Sequence, residues 1–226
     1  MTQGQQLAHK SSVTKYQLAL YSDRLEPGCD LHLVSGQSVL YVRAGTVTCK
    51  FYDSAPIIRQ SNEVWMVPSS TQLVCEGISA WIDRWTFSVG GNPVMEDSEP
   101  LLARELYLGT STRFLIRCDQ VDFPPGGIAY LHTHAGPGIR RLIAGTLRVE
   151  TGGESNEYTL GDSWFESGPV PVYAEASPDQ GASFIRVMVL PIEFQGKSSL
   201  TYRREEDRLK PKLQRYSIYV DEEVTL

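Results

Sequence analysis

Two histidines, His132 and His134, stand two residues apart in the stretch YLHTHAGPGIRRLIAG, which runs from Tyr130 to Gly145. Residues i and i+2 of a β-strand face the same side, so both imidazoles would project into one space if this stretch is a strand. Neutral imidazoles are good metal ligands, and the pair would supply two of the three protein donors of a catalytic metal site. By itself the pair does not decide between a metal site and two hydrogen-bonded histidines.

The elements around the histidines read as short strands rich in Val, Ile, Tyr and Phe and bounded by Gly, Pro, Asn and Asp. No long helical stripe of apolar residues precedes the C-terminal tail. Turn signals every 8 to 12 residues or so predict an all-β sandwich or barrel. The strongest strand segments are SVLYVRAGTVTCKFY, EVWMVP, RFLIRC, RRLIAGTLRVET and SFIRVMVLPI.

The chain contains an internal repeat, which predicts two similar β domains in tandem. Leu25–Cys49 aligns with Phe123–Val149, pairing Gly45 with Gly145, and residues 61–70 align with 160–169, pairing Trp65 with Trp164. The acidic stretch VGGNPVMEDSEP, residues 89–100, is the expected boundary. The predicted division is a polar arm over 1–14, a first barrel over 15–100, a second barrel over 101–193 and a tail over 194–226.

Composition narrows the classes of function. Of the 226 residues, 41% are hydrophobic and 21% charged, which is typical of a globular protein. A formal charge of −6 without a basic stripe argues against nucleic acid as a partner. No span approaches the roughly 20 apolar residues of a membrane helix, and the start lacks a signal-peptide core, so we expect a cytoplasmic protein without a membrane partner. The four widely spaced cysteines are expected to be reduced and buried.

The second repeat resembles the cupin family. The first cupin motif has Gly, five residues, His-x-His, three or four residues, Glu, six residues and Gly, and Gly126, His132, His134 and Gly145 match it. The stretch GDSWFESGP from Gly161 is similar to the start of the second motif. The likeness covers both repeats, from Tyr16 to Ile192, and implies a bicupin, an all-β protein of two tandem antiparallel jelly-roll barrels.

Two of the four usual cupin ligands are missing, since the glutamate position falls on Gly138 and the last histidine position on Val172. Glu166 is the candidate third ligand, because the resemblance places it on a strand beside the histidine strand. The alternative is a solvent-facing carboxylate at a strand end. With His132 and His134 it would form a 2-His-1-carboxylate set, which suits Fe(II) first and Mn, Ni or Zn with less preference.

Arg140 lies two residues beyond Gly138 and is expected to face the barrel interior. A buried guanidinium requires an anion. This anion could be Glu166, in an ion pair that replaces the metal, or the carboxylate or phosphate of a substrate. Its neighbour Arg141 would then face outward or into the other sheet.

Two aromatic residues, Tyr130 and Trp164, have the strand parity to line the same cavity and bind substrate. The alternative for each is a place in the hydrophobic core.

The first repeat has lost this chemistry, because His32 and Val34 stand opposite the two histidines and Val67 stands opposite Glu166. We expect His32 to be a hydrogen-bonded core or edge residue, His9 to lie in the polar arm, and the first barrel to be structural. The tail segment SIYVDEEVTL could add a strand to another subunit and so form a homodimer.

Two hypotheses follow. The first is a metal-dependent enzyme acting on a small, anionic organic molecule, with dioxygenase-type oxidoreductase chemistry favoured over isomerase or lyase chemistry and with Arg140 and Glu166 as catalytic residues. The second is a binding or regulatory protein in which Arg140 holds an anion and no catalytic metal is present. Cupins host many unrelated functions, so the fold does not choose between them.

Overall fold

The computed structural model describes residues 13–34, 36–90 and 99–226. About 60% of it is strand and 4% helix, which confirms the all-β prediction. Most of the predicted arm, with His9, and most of the predicted boundary, residues 91–98, lie outside the described residues.

The first repeat folds into two antiparallel sheets that enclose a hydrophobic core. The inner sheet has the order β6-β3-β8-β1-β9 and the outer sheet the order β2-β7-β4-β5. Eight of these strands have the jelly-roll order that the resemblance to cupins implied. Their bounds are β1 Lys15–Leu25, β2 Asp30–His32, β3 Gln37–Ala44, β4 Thr46–Lys50, β5 Ile57–Gln60, β6 Val64–Pro68, β7 Gln72–Val74, β8 Ala80–Val89 and β9 Leu102–Tyr107.

The second repeat has the same topology. Its inner sheet has the order β15-β12-β17-β10-β19 and its outer sheet the order β14-β13-β16-β11-β18. The bounds are β10 Arg113–Phe123, β11 Ile128–His134, β12 Gly138–Ala144, β13 Thr146–Thr151, β14 Glu154–Thr159, β15 Ser163–Glu166, β16 Val172–Ala176, β17 Ala182–Leu190, β18 Leu200–Tyr202 and β19 Arg215–Thr225. Two tandem jelly rolls are therefore confirmed.

The repeat is visible in the turns as well as in the strands. Gly45 and Gly145 both have positive φ, +85° and +73°. A Cβ at Gly45 would lie 2.7 Å from the carbonyl oxygen of Ser79, and one at Gly145 would collide with that of Gly181. Only glycine meets both conditions, so the aligned glycines mark the same tight turn in each barrel.

Three further strands join the sheets of the two repeats, in addition to the eight strands of each. β9 follows the predicted boundary yet pairs with β1 of the first barrel. β18 and β19 belong to the predicted tail, and they pair with β11 and β10 of the second barrel. The tail strand thus completes its own chain's sheet, and the homodimer stays a prediction.

The two inner sheets pack face to face and form a core shared by both barrels. Apolar side chains from both sides meet there, among them Leu18, Trp85, Ile139, Val187 and Val220. Burial of this surface is the main force joining the barrels.

One ionic contact crosses the same interface. Arg141 Nε lies 3.3 Å from Oδ2 of the buried Asp83, so Arg141 points into the other sheet, as one of its two alternatives predicted.

Among the described residues, helix occurs only after β17, as a 3-10 turn at Ile192–Phe194 and α1 at Glu205–Leu209. Within the described ranges, neither has the length and apolar character required to traverse a membrane.

The cysteines are unpaired, and three of them, Cys49, Cys75 and Cys118, are buried. Cys29 is exposed, so the expectation of four buried thiols was wrong for this residue. It lies in the turn between β1 and β2, where the backbone does not enter a sheet. Burial raises the pKa of Cys49 to about 11 and that of Cys118 well above its usual value.

We predict that iodoacetamide modifies one thiol of the folded protein, at Cys29, and all four after denaturation. Buried thiols with raised pKa values supply neither the access nor the thiolate that alkylation requires. Mass spectrometry of peptides after labelling with and without guanidinium would measure this. Rapid native labelling of Cys118 would contradict the packing of β10 described here.

Candidate metal site in the second barrel

The interior of the second barrel contains a cavity of about 20 Å³. This volume holds one water molecule or one ion and is too small for an organic molecule. The polar part of its lining consists of His132, His134, Arg140, Glu166 and Arg186. Leu200 and Tyr216, from the segments after the barrel's eighth strand, line it as well.

A β-bulge in β11 aims both histidines into this cavity. β11 and β16 pair at Ala129 and again at His132, and the register shifts in between. The shift places Ala129, His132 and His134 all on the cavity lining. His132 and His134 are 5% and 6% exposed, and their Nε2 atoms are 3.2 Å apart.

The bulge also explains why Tyr130 was wrongly predicted to line the cavity. The extra residue reverses the alternation of side chains, which turns Tyr130 to the outside. There the ammonium groups of Lys210 and Lys212 lie 4.7 and 5.1 Å from its ring centroid. Tyr130 contributes to the site only through its carbonyl oxygen.

The carbonyl of Tyr130 fixes the tautomer of His132. Nδ1 of His132 lies 2.7 Å from this oxygen and must donate to it, so Nε2 of the neutral ring carries a lone pair toward His134. Burial lowers the pKa of His132, against the raising effect of this hydrogen bond. Burial, followed by the charges of Arg186 and Arg140, lowers the pKa of His134 much further. Both imidazoles are therefore held in the neutral form that ligates metals.

Glu166 reaches the cavity from a different strand than the cupin resemblance implied. β15 pairs with β12, not with the histidine strand, and Glu166 stands directly opposite Gly138. It is 8% exposed, so the alternative of a solvent-facing carboxylate is wrong. Its Oε2 lies 3.5 Å from His134 Nε2, across the barrel.

Two neighbours orient the Glu166 carboxylate. Trp164 Nε1 donates a hydrogen bond of 2.9 Å to Oε1. Arg140 Nη2 lies 2.7 Å from Oε2. Trp164 itself packs in the barrel core against Tyr158, with ring centroids 4.6 Å apart, so it lines the cavity and belongs to the core.

Arg140 is fully buried, and its Nη1 donates a 2.6 Å hydrogen bond to the carbonyl of Gly138. Burial lowers its pKa to about 10, and the negative charge of Glu166 opposes this change. The guanidinium remains charged at neutral pH. Of the two anions considered for Arg140, the structure contains the ion pair with Glu166.

Gly138 shows why the usual cupin glutamate is absent. A Cβ at this position would lie 2.5 Å from the Val187 carbonyl oxygen and 2.8 Å from Met188 Cγ. The Arg140 guanidinium occupies the space beyond, with Nη1 at 3.1 Å from the same Cβ. A side chain does not fit here, and the carboxylate comes instead from the paired strand. The other departing position, Val172, is a buried apolar part of the lining.

A second buried ion pair in the cavity escaped the sequence reasoning. Arg186 Nη2 and Nε lie 2.6 and 2.9 Å from the Asp119 carboxylate, and Nη1 lies 3.4 Å from His134 Nε2. The internal repeat contained a signal for this arginine. The segments WIDRWTF and SFIRVMV occupy equivalent strands, and their alignment places Arg84 opposite Arg186. Arg84 is likewise buried, with its Nε 2.8 Å from Asp23.

The first barrel contains no counterpart of the histidine site among its described residues. His32 is exposed and its Nε2 lies 2.9 Å from Asp30 Oδ2, as expected of a histidine at a barrel edge. Val34 is 48% exposed and Val67 is buried in the core.

The donors fit a metal ion in part. Two ligands at right angles, with bonds of about 2.1 Å, lie about 3.0 Å apart, and the two Nε2 atoms come close to this. In the described chain no group of three or more His, Cys, Asp or Glu side chains is arranged to hold a metal ion as it stands. The candidate third donor, Glu166 Oε2, lies 2.7 Å from Arg140 Nη2 and 3.5 Å from His134 Nε2. Among described residues this buried oxygen accepts no well-aligned hydrogen bond.

Solved structures with this fold are cupin-family proteins. AerE from Microcystis aeruginosa is 13% identical with a TM-score of 0.58, over 76% of this chain and 88% of that one. Oxalate decarboxylase from Lactobacillus farciminis is 13% identical with a TM-score of 0.58, over 89% of this chain and 82% of that one. Salicylate 1,2-dioxygenase from Pseudaminobacter salicylatoxidans is 13% identical with a TM-score of 0.55, over 89% of this chain and 75% of that one. No protein-family profile and no curated protein sequence matches. At these identities the likeness shows the fold alone.

We predict that Arg140→Leu lowers the free energy of unfolding by about 3 kcal/mol, because the Glu166 carboxylate is left buried without its cation. The double change Arg140→Leu with Glu166→Leu should restore most of the loss, since apolar side chains replace both charges. Urea denaturation measures both. Arg148→Leu, at an arginine that is 40% exposed and ion-paired, is the matched control and should change stability by about 1 kcal/mol or less. A single mutant as stable as this control would show that the pair is not buried in solution.

Proposed function

We propose that the second barrel binds one divalent metal ion through His132, His134 and Glu166 and acts as a metal-dependent enzyme on a small organic anion. The observation that carries the proposal is the convergence of two neutral imidazoles, 3.2 Å apart, on an interior cavity of ion size beside a buried carboxylate. Dioxygenase-type oxidoreductase chemistry is the favoured reaction class.

The donor chemistry decides the proposed metal. Two imidazoles and one carboxylate with open positions suit Fe(II), and Mn, Ni or Zn are alternatives. Such an ion, when bound, supplies a Lewis acid and open positions for substrate or oxygen.

The chain's own residues have separate roles in this proposal. The Tyr130 carbonyl keeps the His132 lone pair directed at the cavity, and Trp164 fixes one oxygen of Glu166. Arg140 lies 2.7 Å from the other oxygen and offsets the charge of the carboxylate. Arg186, 3.4 Å from His134 Nε2, is the second cation that would attract an anionic substrate.

Access to the cavity sets a condition on this function. Its volume admits no organic molecule, so substrate must displace part of the lining. Leu200 and Tyr216 come from β18 and β19, the strands added at the sides of the two sheets. We expect these strands, and not the eight of the jelly roll, to move aside.

A second candidate, non-catalytic anion binding or regulation, has its own support. The charges of Arg140 and Arg186 are matched by those of Glu166 and Asp119, so the cavity is neutral before any ion enters. A dication would add two uncompensated charges, unless Glu166 leaves Arg140. Metal content separates the two functions.

We predict about one equivalent of metal per chain. The double change His132→Ala with His134→Ala should abolish binding, and Glu166→Gln should weaken it at least tenfold. His32→Ala is the matched control and should leave the stoichiometry unchanged, since His32 lies at the exposed edge of the first barrel. Elemental analysis and titration with Fe(II) under anaerobic conditions measure these values. If wild-type protein prepared without chelators contains no metal and binds no Fe(II), the second candidate function is favoured.

We predict oxygen uptake by the Fe(II)-loaded protein with a small carboxylate present. Salicylate and oxalate are the first probes, because enzymes with the same fold act on them. An oxygen electrode and carbon dioxide release distinguish dioxygenase from decarboxylase chemistry. The double histidine variant is the control, and uptake that persists in it would show that the site is not responsible.

A further inference from the structure

A cleft of about 520 Å³ lies between the two barrels, outside the cavity described above. β3 and β8 of the first barrel and β12 of the second form its walls, together with the turn between β14 and β15. Arg140 and Arg141 point to opposite faces of β12. The cleft and the candidate metal site are therefore separate spaces on the two sides of this strand. Its size is typical of sites for small molecules.

Two arginines and one carboxylate set the charge of the cleft. Arg43 and Arg141 line it, and Asp83 lies between them at 3.1 and 3.3 Å from their Nε atoms. Burial raises the pKa of Asp83, against the lowering effect of both arginines. The nearby Asp162 is turned to its own loop, where it accepts hydrogen bonds from Thr159. Among the charged groups that meet at the cleft, Arg43 and Arg141 exceed Asp83 by one positive charge, and Asp162 interacts with Arg141 from its own loop.

Arg43 remains partly accessible to a ligand. Its side chain is 31% exposed, and its Nη2 donates to Ser22 while its Nε lies against Asp83. Arg141 Nη1 donates to the Gly161 carbonyl. A partly exposed guanidinium at the wall of a cleft is suited to a carboxylate, whose two oxygens match its geometry.

The rest of the wall combines apolar side chains with Tyr41 and Asn62, whose polar groups hydrogen-bond to each other. Trp81 is 39% exposed, and the guanidinium of Arg43 lies 5.2 Å from its ring centroid. Leu160, 70% exposed, stands on the other side with Ile143. An exposed indole beside a cation favours a ligand with a planar apolar body next to its charge.

We propose that this inter-barrel cleft binds a small aromatic carboxylate, with its anionic group on Arg43 and Arg141 and its ring along Trp81 and Leu160. The inference is independent of the metal site. It assigns the interface between the barrels a ligand as well as a structural role.

Calorimetric titration with benzoate tests the proposal, with acetate and inorganic phosphate as comparison probes. Benzoate should bind at least tenfold more tightly than either, since only benzoate has both the carboxylate and the ring. Equal affinity for all three would overturn the aromatic assignment. No detectable benzoate binding would overturn the site.

Three variants locate the binding. Arg43→Gln should weaken benzoate at least tenfold, because a hydrogen-bonded charge contact is lost. Trp81→Leu should weaken the binding of benzoate and leave the binding of acetate unchanged. Asp83→Asn should tighten the binding of benzoate several-fold, since it removes the negative charge that competes for the two arginines. A folded Asp83→Asn protein with unchanged or weaker binding would show that the arginines do not hold the anion.

Matched controls keep the result separate from the metal site. Arg148→Gln removes an exposed arginine elsewhere on the second barrel, and His132→Ala with His134→Ala removes the metal donors. Both should bind benzoate as the wild type does. Loss of binding in the double histidine variant would assign the benzoate to the barrel cavity and overturn the proposal.

Discussion

Buried charge must be neutralised, and this constraint organises the second barrel. Arg140, Arg186, Glu166 and Asp119 are each less than a tenth exposed, and each lies within 3 Å of an opposite charge. Removing one member would leave its partner without compensation in a medium of low dielectric constant. The pairs hold β10, β12, β15 and β17 in register around the histidines, so the geometry of the candidate site is set by the ion pairs.

The same constraint appears where the barrels meet. Asp83 is buried at the interface and lies close to arginines from both barrels, Arg43 and Arg141. Apolar packing supplies most of the stabilisation there, while the shared carboxylate restricts the relative position of the sheets. Both the candidate site and the proposed cleft therefore depend on arginines of neighbouring positions in one strand, β12.

The repeat and the strand patterns were sufficient to predict an all-β chain of two similar domains, because turn glycines and alternating apolar residues are local signals. The jelly-roll order followed from the resemblance to cupins. The direction of the histidines was also predictable from their spacing. The neighbours of Glu166 could not be predicted, because the pairing of β15 with β12 is a long-range contact that no local sequence pattern encodes. Tyr130 was misplaced because a bulge leaves no trace in residue spacing. Arg186 was overlooked because a single arginine in an apolar strand acquires meaning only beside its partner.

The strands β18 and β19 have a consequence for the order of folding. They pair with β11 and β10, whose residues precede them by 66 to 112 positions. During synthesis the first barrel's eight strands emerge from the ribosome long before these two strands are made. In the second barrel, β10 has an open edge until β19 follows. Such edges favour aggregation of nascent chains. The lining of the histidine cavity includes Leu200 and Tyr216, so it is complete only after translation has passed residue 216.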